Sequence, residues 1–242
     1  MAYRYARTRE SYADFSGGVL HSAPGFPQFP VRLASEMFQR ALPLMSSPAA
    51  RLWDPCCGSG HLLTTLGFLH HRDIASVLGT DLNPAALTLA QKNLDLLSEH
   101  GMAARSDELA ARAERLGKPA YLDAAAAALR LARGLAERGG ALPHGVAQAD
   151  VFNPDQLRRA LGGQRPNLVI TDVPYGEQTS WDGPHGAAGI DGMLRALQDV
   201  LDDDAVIAVA TRGRKAGLIR ERSPIASFKV GTRVVVFCRA AG

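Results

Sequence analysis

The residues best suited to chemistry are a set of aspartates and one glycine turn. Asp54 closes an apolar run and leads at once into Pro55-Cys56-Cys57-Gly58-Ser59-Gly60. A glycine turn between a strand and a helix lets the main chain approach a ligand closely. It also presents amide donors and the positive helix end to a polar or anionic group. Asp81 ends the next apolar run, where a carboxylate is placed to accept hydrogen bonds from two ribose hydroxyls. Turn and acid together predict a site for an adenosyl cofactor, and two details favour one without a pyrophosphate. A dinucleotide turn carries a small third residue for close helix packing, whereas Gly58 begins Gly-Ser-Gly-His-Leu-Leu, with Leu63 in that place. A carboxylate at Asp54 would repel a pyrophosphate yet suits a cationic amino group.

Further along, Asp150 ends the run Gln148-Ala149-Asp150, and the apolar residues 167–171 run into Asp172-Val173-Pro174-Tyr175-Gly176. The elements that must position these groups follow from residue 51 onward, where short apolar runs alternate with helical periods. That alternation predicts βαβ units and a mostly parallel sheet. A first strand ends at Asp54 and feeds a helix over residues 61 to 71. A second strand ends at Asp81, after which Asn83 and Pro84 cap and open a helix through residue 100. Residues 101 to 143 interrupt the alternation with two alanine-rich helical patterns, separated by Gly117 and Pro119 and closed by Gly139-Gly140. They predict an inserted helical hairpin. Strands over residues 144–150, 167–171 and 205–211 complete the parallel part. Two last runs joined across Gly231-Thr232 predict an antiparallel hairpin at the edge. The expected fold is α/β and Rossmann-like, a mixed seven-stranded sheet with one antiparallel edge strand. Before it, residues 1–50 form a basic arm and a helical extension, with one helix over residues 31 to 42.

The chain has 242 residues, 46% of them hydrophobic and 21% charged, enough for a core without disulfides or metal. Cys56, Cys57 and Cys238 show no CxxC spacing, so neither a disulfide framework nor a zinc site is expected. With no apolar leader at the N-terminus and no run of about 18 apolar residues, the expectation is a cytoplasmic, non-membrane protein.

An acid followed within a few residues by GxG resembles the first motif of the S-adenosylmethionine-dependent methyltransferases. The resemblance implies S-adenosyl-L-methionine as cofactor, with Gly58 and Gly60 shaping its methionine pocket. Asp54 would hold its amino group and Asp81 its ribose, with Asn83 beside it, and Asp150 would meet the adenine amino group. Asp172-Val173-Pro174-Tyr175 is similar to the fourth motif, Asn/Asp/Ser-Pro-Pro-Tyr/Phe, of enzymes that methylate nitrogens of planar bases and amides. Asp172 and the Val173 carbonyl can accept hydrogen bonds from a base, Pro174 stiffens the loop, and Tyr175 can stack on the base face. Val173 departs from the motif, and Gly176 resembles its guanine-modifying form. Pro55-Cys56 resembles a carbon-methylating nucleophile motif but lies in the cofactor turn, so both cysteines read as packing residues.

Residues 212 to 239 hold eight basic residues and one acid, a net +7, which leaves −4 elsewhere and hides inside a total of +3. Arg212, Arg214, Lys215, Arg220 and Arg222 follow the fifth strand. In the N-terminal arm Arg4, Arg7 and Arg9 interleave with Tyr3, Tyr5 and Tyr12. Arginine for phosphate and tyrosine for stacking is an RNA-binding composition. Taken whole, the chain resembles the avilamycin-resistance ribosomal RNA methyltransferases of antibiotic producers. That resemblance implies a methyltransferase domain over residues 51–242, acting as a monomer on a guanine of 23S ribosomal RNA or the large subunit. It points to ring nitrogen 1, whereas the fourth motif alone favours exocyclic nitrogen 2. Three alternatives are a protein-amide methyltransferase, an RNA-binding protein on an inactive scaffold, and a nicotinamide dehydrogenase, the last disfavoured by Leu63.

Overall fold

The computed structural model describes residues 3–6, 12–15, 18–173, 189–212 and 223–241. Its strands are β1 (Ala50–Asp54), β2 (Ile74–Asp81), β3 (His144–Gln148), β4 (Leu168–Asp172), β5 (Val206–Arg212), β6 (Ala226–Val230) and β7 (Arg233–Arg239). They form one sheet in the order β3-β2-β1-β4-β5-β7-β6. β1 to β5 are parallel, and β7 runs antiparallel to both its neighbours. The expected seven strands with one reversed are therefore present. The reversed strand lies one place in from the edge, because the two-residue turn folds β6 onto the outer side of β7. Strand order changes direction between β1 and β4, which opens a crevice at their carboxyl ends.

Seven helices are described: α1 (Val31–Ala41), α2 (His61–Leu69), α3 (Pro84–Asp95), α4 (Glu99–Leu116), α5 (Ala120–Ala136), α6 (Pro154–Leu161) and α7 (Gly189–Gln198). Alternate strand residues face opposite sides. Leu52, Val77, Leu168 and Ile170 meet α1 to α5 in one hydrophobic cluster. Trp53, Leu78 and Val169 meet α6 and α7 in another. Both sheet faces are thus covered, which is why β4 and β5 open as continuous apolar runs, Leu168–Ile170 and Val206–Ala210.

The helix expected through residue 100 is two helices. α3 stops at Asp95, Leu96 and Leu97 turn into the core, and the Ser98 side chain accepts the Gly101 N–H to open α4. A Cβ at residue 101 would stand 2.0 Å from the Asp95 carbonyl oxygen, so glycine is required there. The helix expected through residue 71 likewise ends at Leu69, followed by a 3-10 turn over His71–Asp73. The inserted hairpin extends the core. Met102, Leu109, Ala124, Ala125, Ala127, Ala128 and Leu135 are buried in the cluster that also holds β1 and β2. Alanine's small side chain lets α5 approach α4 closely. Arg105 then binds the carbonyls of Gly18 and Val19, securing the N-terminal segment across the hairpin.

Residues 3–6 of the arm are docked on α1 around Glu36, which is fully buried. Its carboxylate accepts N–H groups from Arg4 at 2.6 Å, Tyr5 at 2.9 Å and Ala6 at 2.8 Å, and the Arg40 Nε–H at 2.6 Å. Arg32 donates to the Ala6 carbonyl and stacks on Tyr3, 4.0 Å from the ring centroid. Burial works to raise the Glu36 pKa. The Arg4 and Ala6 N–H groups, the Arg40 guanidinium and the Tyr5 N–H outweigh it and hold the carboxyl below its ordinary 4.5. A carboxyl lowered in this way stabilises fully above its ordinary range and loses that contribution as pH falls through the folded value. Urea unfolding near pH 7 should therefore show Glu36→Ala less stable by about 3 kcal/mol. The gap should narrow as pH falls below 4.5; a gap independent of pH would contradict the charged carboxylate.

Candidate active site

β1, β2 and β4 end in Asp54, Asp81 and Asp172, and Asp150 stands two residues beyond β3. In a parallel sheet these ends share one edge, so the four acids form a row in the strand order Asp150, Asp81, Asp54, Asp172. Asp54 and Asp172 flank the crevice where strand order changes.

The glycine turn is fixed from several directions. Cys57 N–H donates to the Thr80 carbonyl at 2.9 Å and Gly60 N–H to the Cys57 carbonyl at 2.8 Å. Asp81 accepts the Gly58 N–H on one oxygen and the Asn83 N–H on the other, each at 2.9 Å. Asn83 caps α3 by accepting the Ala85 N–H. The two glycines differ in what they do. Gly60 has φ +71°, and a Cβ there would lie 3.1 Å from Ala90 Cα, so it lets α2 start tight against α3. Gly58 has φ +51° and faces open space where its Cβ would be.

Asp54 is 2% exposed and accepts the Cys56 N–H at 3.1 Å. Burial raises its pKa to about 7, the Asp81 and Asp172 carboxylates add to the shift, and the Cys56 hydrogen bond opposes it. Asp150 is buried and accepts the Phe152 N–H at 2.9 Å, while its own N–H donates to Gln156 Oε1. Burial, then the Asp54 and Asp81 charges, push both the Cys56 and Cys57 thiols well above their ordinary range. They are free thiols rather than thiolates. Cys57 Sγ fills the space that Gly79 leaves, in keeping with a packing role.

Asp172 ends β4 opposite Ala210 of β5. Val173, standing where the fourth motif has its first proline, donates its N–H to the Ala210 carbonyl at 3.1 Å. A proline could not make that bond, so the departure lengthens the β4–β5 ladder by one residue. Arg212 is exposed at the end of β5, and Arg4 is exposed on the docked arm. Pro174, Tyr175, Arg7, Arg9, Arg214, Lys215, Arg220 and Arg222 lie outside the described residues.

Sequence reading overlooked two polar residues next to the turn. Asn93, fully buried in α3, donates to the carbonyls of Ser59 at 2.8 Å and His21 at 3.0 Å and accepts the His21 N–H at 2.7 Å. An asparagine at helical spacing from Ala86 and Ala90, on the buried face of α3, was the available signal. His61 opens α2, and both of its ring nitrogens are buried with no hydrogen-bond partner. Burial lowers its pKa to about 4, so the imidazole is neutral. Orphan nitrogens at a helix N-terminus, open space over Gly58 and a row of carboxylates fit a ligand with hydroxyl groups and a cationic end. Among the described residues no group of three or more His, Cys, Asp or Glu is arranged to hold a metal ion, and no helix is long and apolar enough to cross a membrane.

Residues 1–233 match the family model described as rRNA methyltransferase AviRa. The 23S rRNA (guanine(2535)-N(1))-methyltransferase of Streptomyces viridochromogenes is 50% identical over 242 residues, covering 99% of this chain and 96% of that protein. The 1.5 Å structure of rRNA methyltransferase aviRa from the same organism superposes with TM-score 0.92 at 48% identity, over 100% of this chain and 97% of that one. The Escherichia coli protein yhhF, 16% identical over 91% of this chain and 90% of its own, shares the fold with TM-score 0.50. With its first 233 residues matched by the family model and half its positions identical to a full-length relative, this chain belongs to the AviRa family of rRNA methyltransferases.

Proposed function

We propose that the chain transfers a methyl group from S-adenosyl-L-methionine to ring nitrogen 1 of a guanine in 23S ribosomal RNA. The wider reading is a cytoplasmic monomer that modifies the large subunit or its RNA and so confers resistance to avilamycin. The observation that carries the reading is the row of acids. Adjacent strands lie about 4.8 Å apart, so three intervals from Asp150 to Asp172 span roughly 14 Å in one direction. Along that row Asp150 receives the adenine amino group, Asp81 the ribose hydroxyls and Asp54 the cationic amino group. Asn83 holds the α3 end of the site. Gly58 admits the ligand to the turn, and Gly60 supports the turn from behind.

S-adenosyl-L-methionine, when bound, supplies an electrophilic methyl group on a positively charged sulfur. Asp172, next in the row, accepts the N–H of the guanine ring nitrogen, raises its electron density and takes its proton. Exocyclic nitrogen 2 is adjacent on the same base edge. The name of the Streptomyces viridochromogenes relative specifies nitrogen 1 for that protein, which favours the same atom here. Pro174 and Tyr175 complete the base pocket, Tyr175 by stacking. Arg4, Arg7, Arg9, Arg212, Arg214, Lys215, Arg220 and Arg222 engage phosphates. Alignment of base and methyl donor supplies much of the acceleration, and no covalent enzyme intermediate is needed.

Variants at four positions test this assignment. Incubated with labelled cofactor and 23S ribosomal RNA, Asp172→Ala should lose methyl transfer by at least about a hundredfold, with calorimetric cofactor binding unchanged; full activity would remove Asp172 from the reaction. Gly58→Ala should unfold only about 1 kcal/mol more easily yet lose roughly tenfold in cofactor affinity. Gly60→Ala should instead lose about 3 kcal/mol of stability through the Ala90 contact. Finally, a cationic ligand favours ionised Asp54, so cofactor affinity should rise as pH passes about 7 and then level off. In Asp54→Asn that dependence should flatten; a persisting rise would assign it to another group.

A further inference from the structure

Three arginines stand along the rim beside the candidate base pocket. Asp172 pairs with Ala210, and β5 ends two residues later at exposed Arg212. Arg212 lies directly opposite Arg233 in the antiparallel β5–β7 register. Two guanidinium groups on directly opposite residues are placed to share one anion. The Arg233 guanidinium lies 5.4 Å from the ring centroid of Phe29, just before α1. In the first turn of α1, Arg32 holds Tyr3 and Ala6 of the arm, and Glu36 gathers the N–H groups of residues 4–6. The arm is therefore fixed beside the rim. It presents Arg4 over Tyr5, which is 39% exposed, at 5.3 Å from the ring centroid. A cation beside an exposed ring suits a nucleic-acid backbone and its bases.

We propose that the RNA strand flanking the target base runs along this rim from Asp172 toward the arm. Arg212 and Arg233 bracket one phosphate, Arg4 takes another, and Glu36 is the positioning residue that fixes the arm. The proposal rests on the RNA reading above and adds the path of the strand, a phosphate contact at Arg233 and a substrate-binding consequence for a buried glutamate.

The test is binding of a 23S ribosomal RNA transcript across a series of KCl concentrations. Arg233→Ala and Arg4→Ala should each weaken binding several-fold and reduce the slope of log affinity against log salt by about one. Calorimetric binding of S-adenosylhomocysteine should be unaffected in both. Glu36→Gln should reduce the slope as Arg4→Ala does, and combining the two should cost nothing further. A destabilised fold alone would not remove one ion from the slope. Wild-type slope and affinity in both arginine variants would overturn the rim path while leaving the RNA reading intact. Salt-independent binding by the wild-type protein would remove both together.

Discussion

Asp81 receives the Gly58 N–H on one oxygen and the Asn83 N–H on the other, so the turn after β1 and the turn after β2 are held at a fixed separation. Much of the candidate site is referred to that bridge. Gly58 sits at the open face because Asp81 draws its amide back toward β2, and α2 begins where it does because Gly60 packs on Ala90. Asn93 completes the frame from the other side by tying Ser59 to the N-terminal segment at His21.

Gathering acids on one edge carries an electrostatic cost. Asp54 bears most of it, because it is buried and has the Asp81 and Asp172 carboxylates nearby. Its raised pKa reflects that burial and those neighbouring charges. The thiols of Cys56 and Cys57 belong to the same field, and they are kept protonated where a nucleophile would need to ionise. The roles proposed for this edge, proton acceptance at Asp172 and cation binding at Asp54, suit methyl transfer to nitrogen.

Features written in local sequence were legible. Glycine followed by glycine after Asp54 gave the turn, and apolar alternation gave the strands and their terminal acids. What depended on distant contacts was not. The break after Asp95 brings residue 101 against a carbonyl six residues back, an approach that only glycine allows and that no periodicity displays. Glu36 lies in an amphipathic helix as an apparent surface charge, and only the returning arm makes it a buried anchor. His61 fits the helical pattern of α2 by position, and its lack of partners is visible only in three dimensions. The place of the reversed strand was also beyond reach, since a hairpin fixes which strands pair but not which of them meets β5.

The α4–α5 hairpin shares one hydrophobic cluster with β1 and β2 and is joined to the N-terminal segment through Arg105, 86 residues from Val19. The consequence lies in the order of assembly. As the chain emerges, α1, β1 and β2 cannot close their side of the core until α5 has been made, because Ala124, Ala128 and Leu135 fill it. Long-range closure of this kind slows folding. The glycine turn, held by Thr80, Asp81, Ala90 and Asn93, has its own contacts made before α5, but the core behind it closes only afterwards.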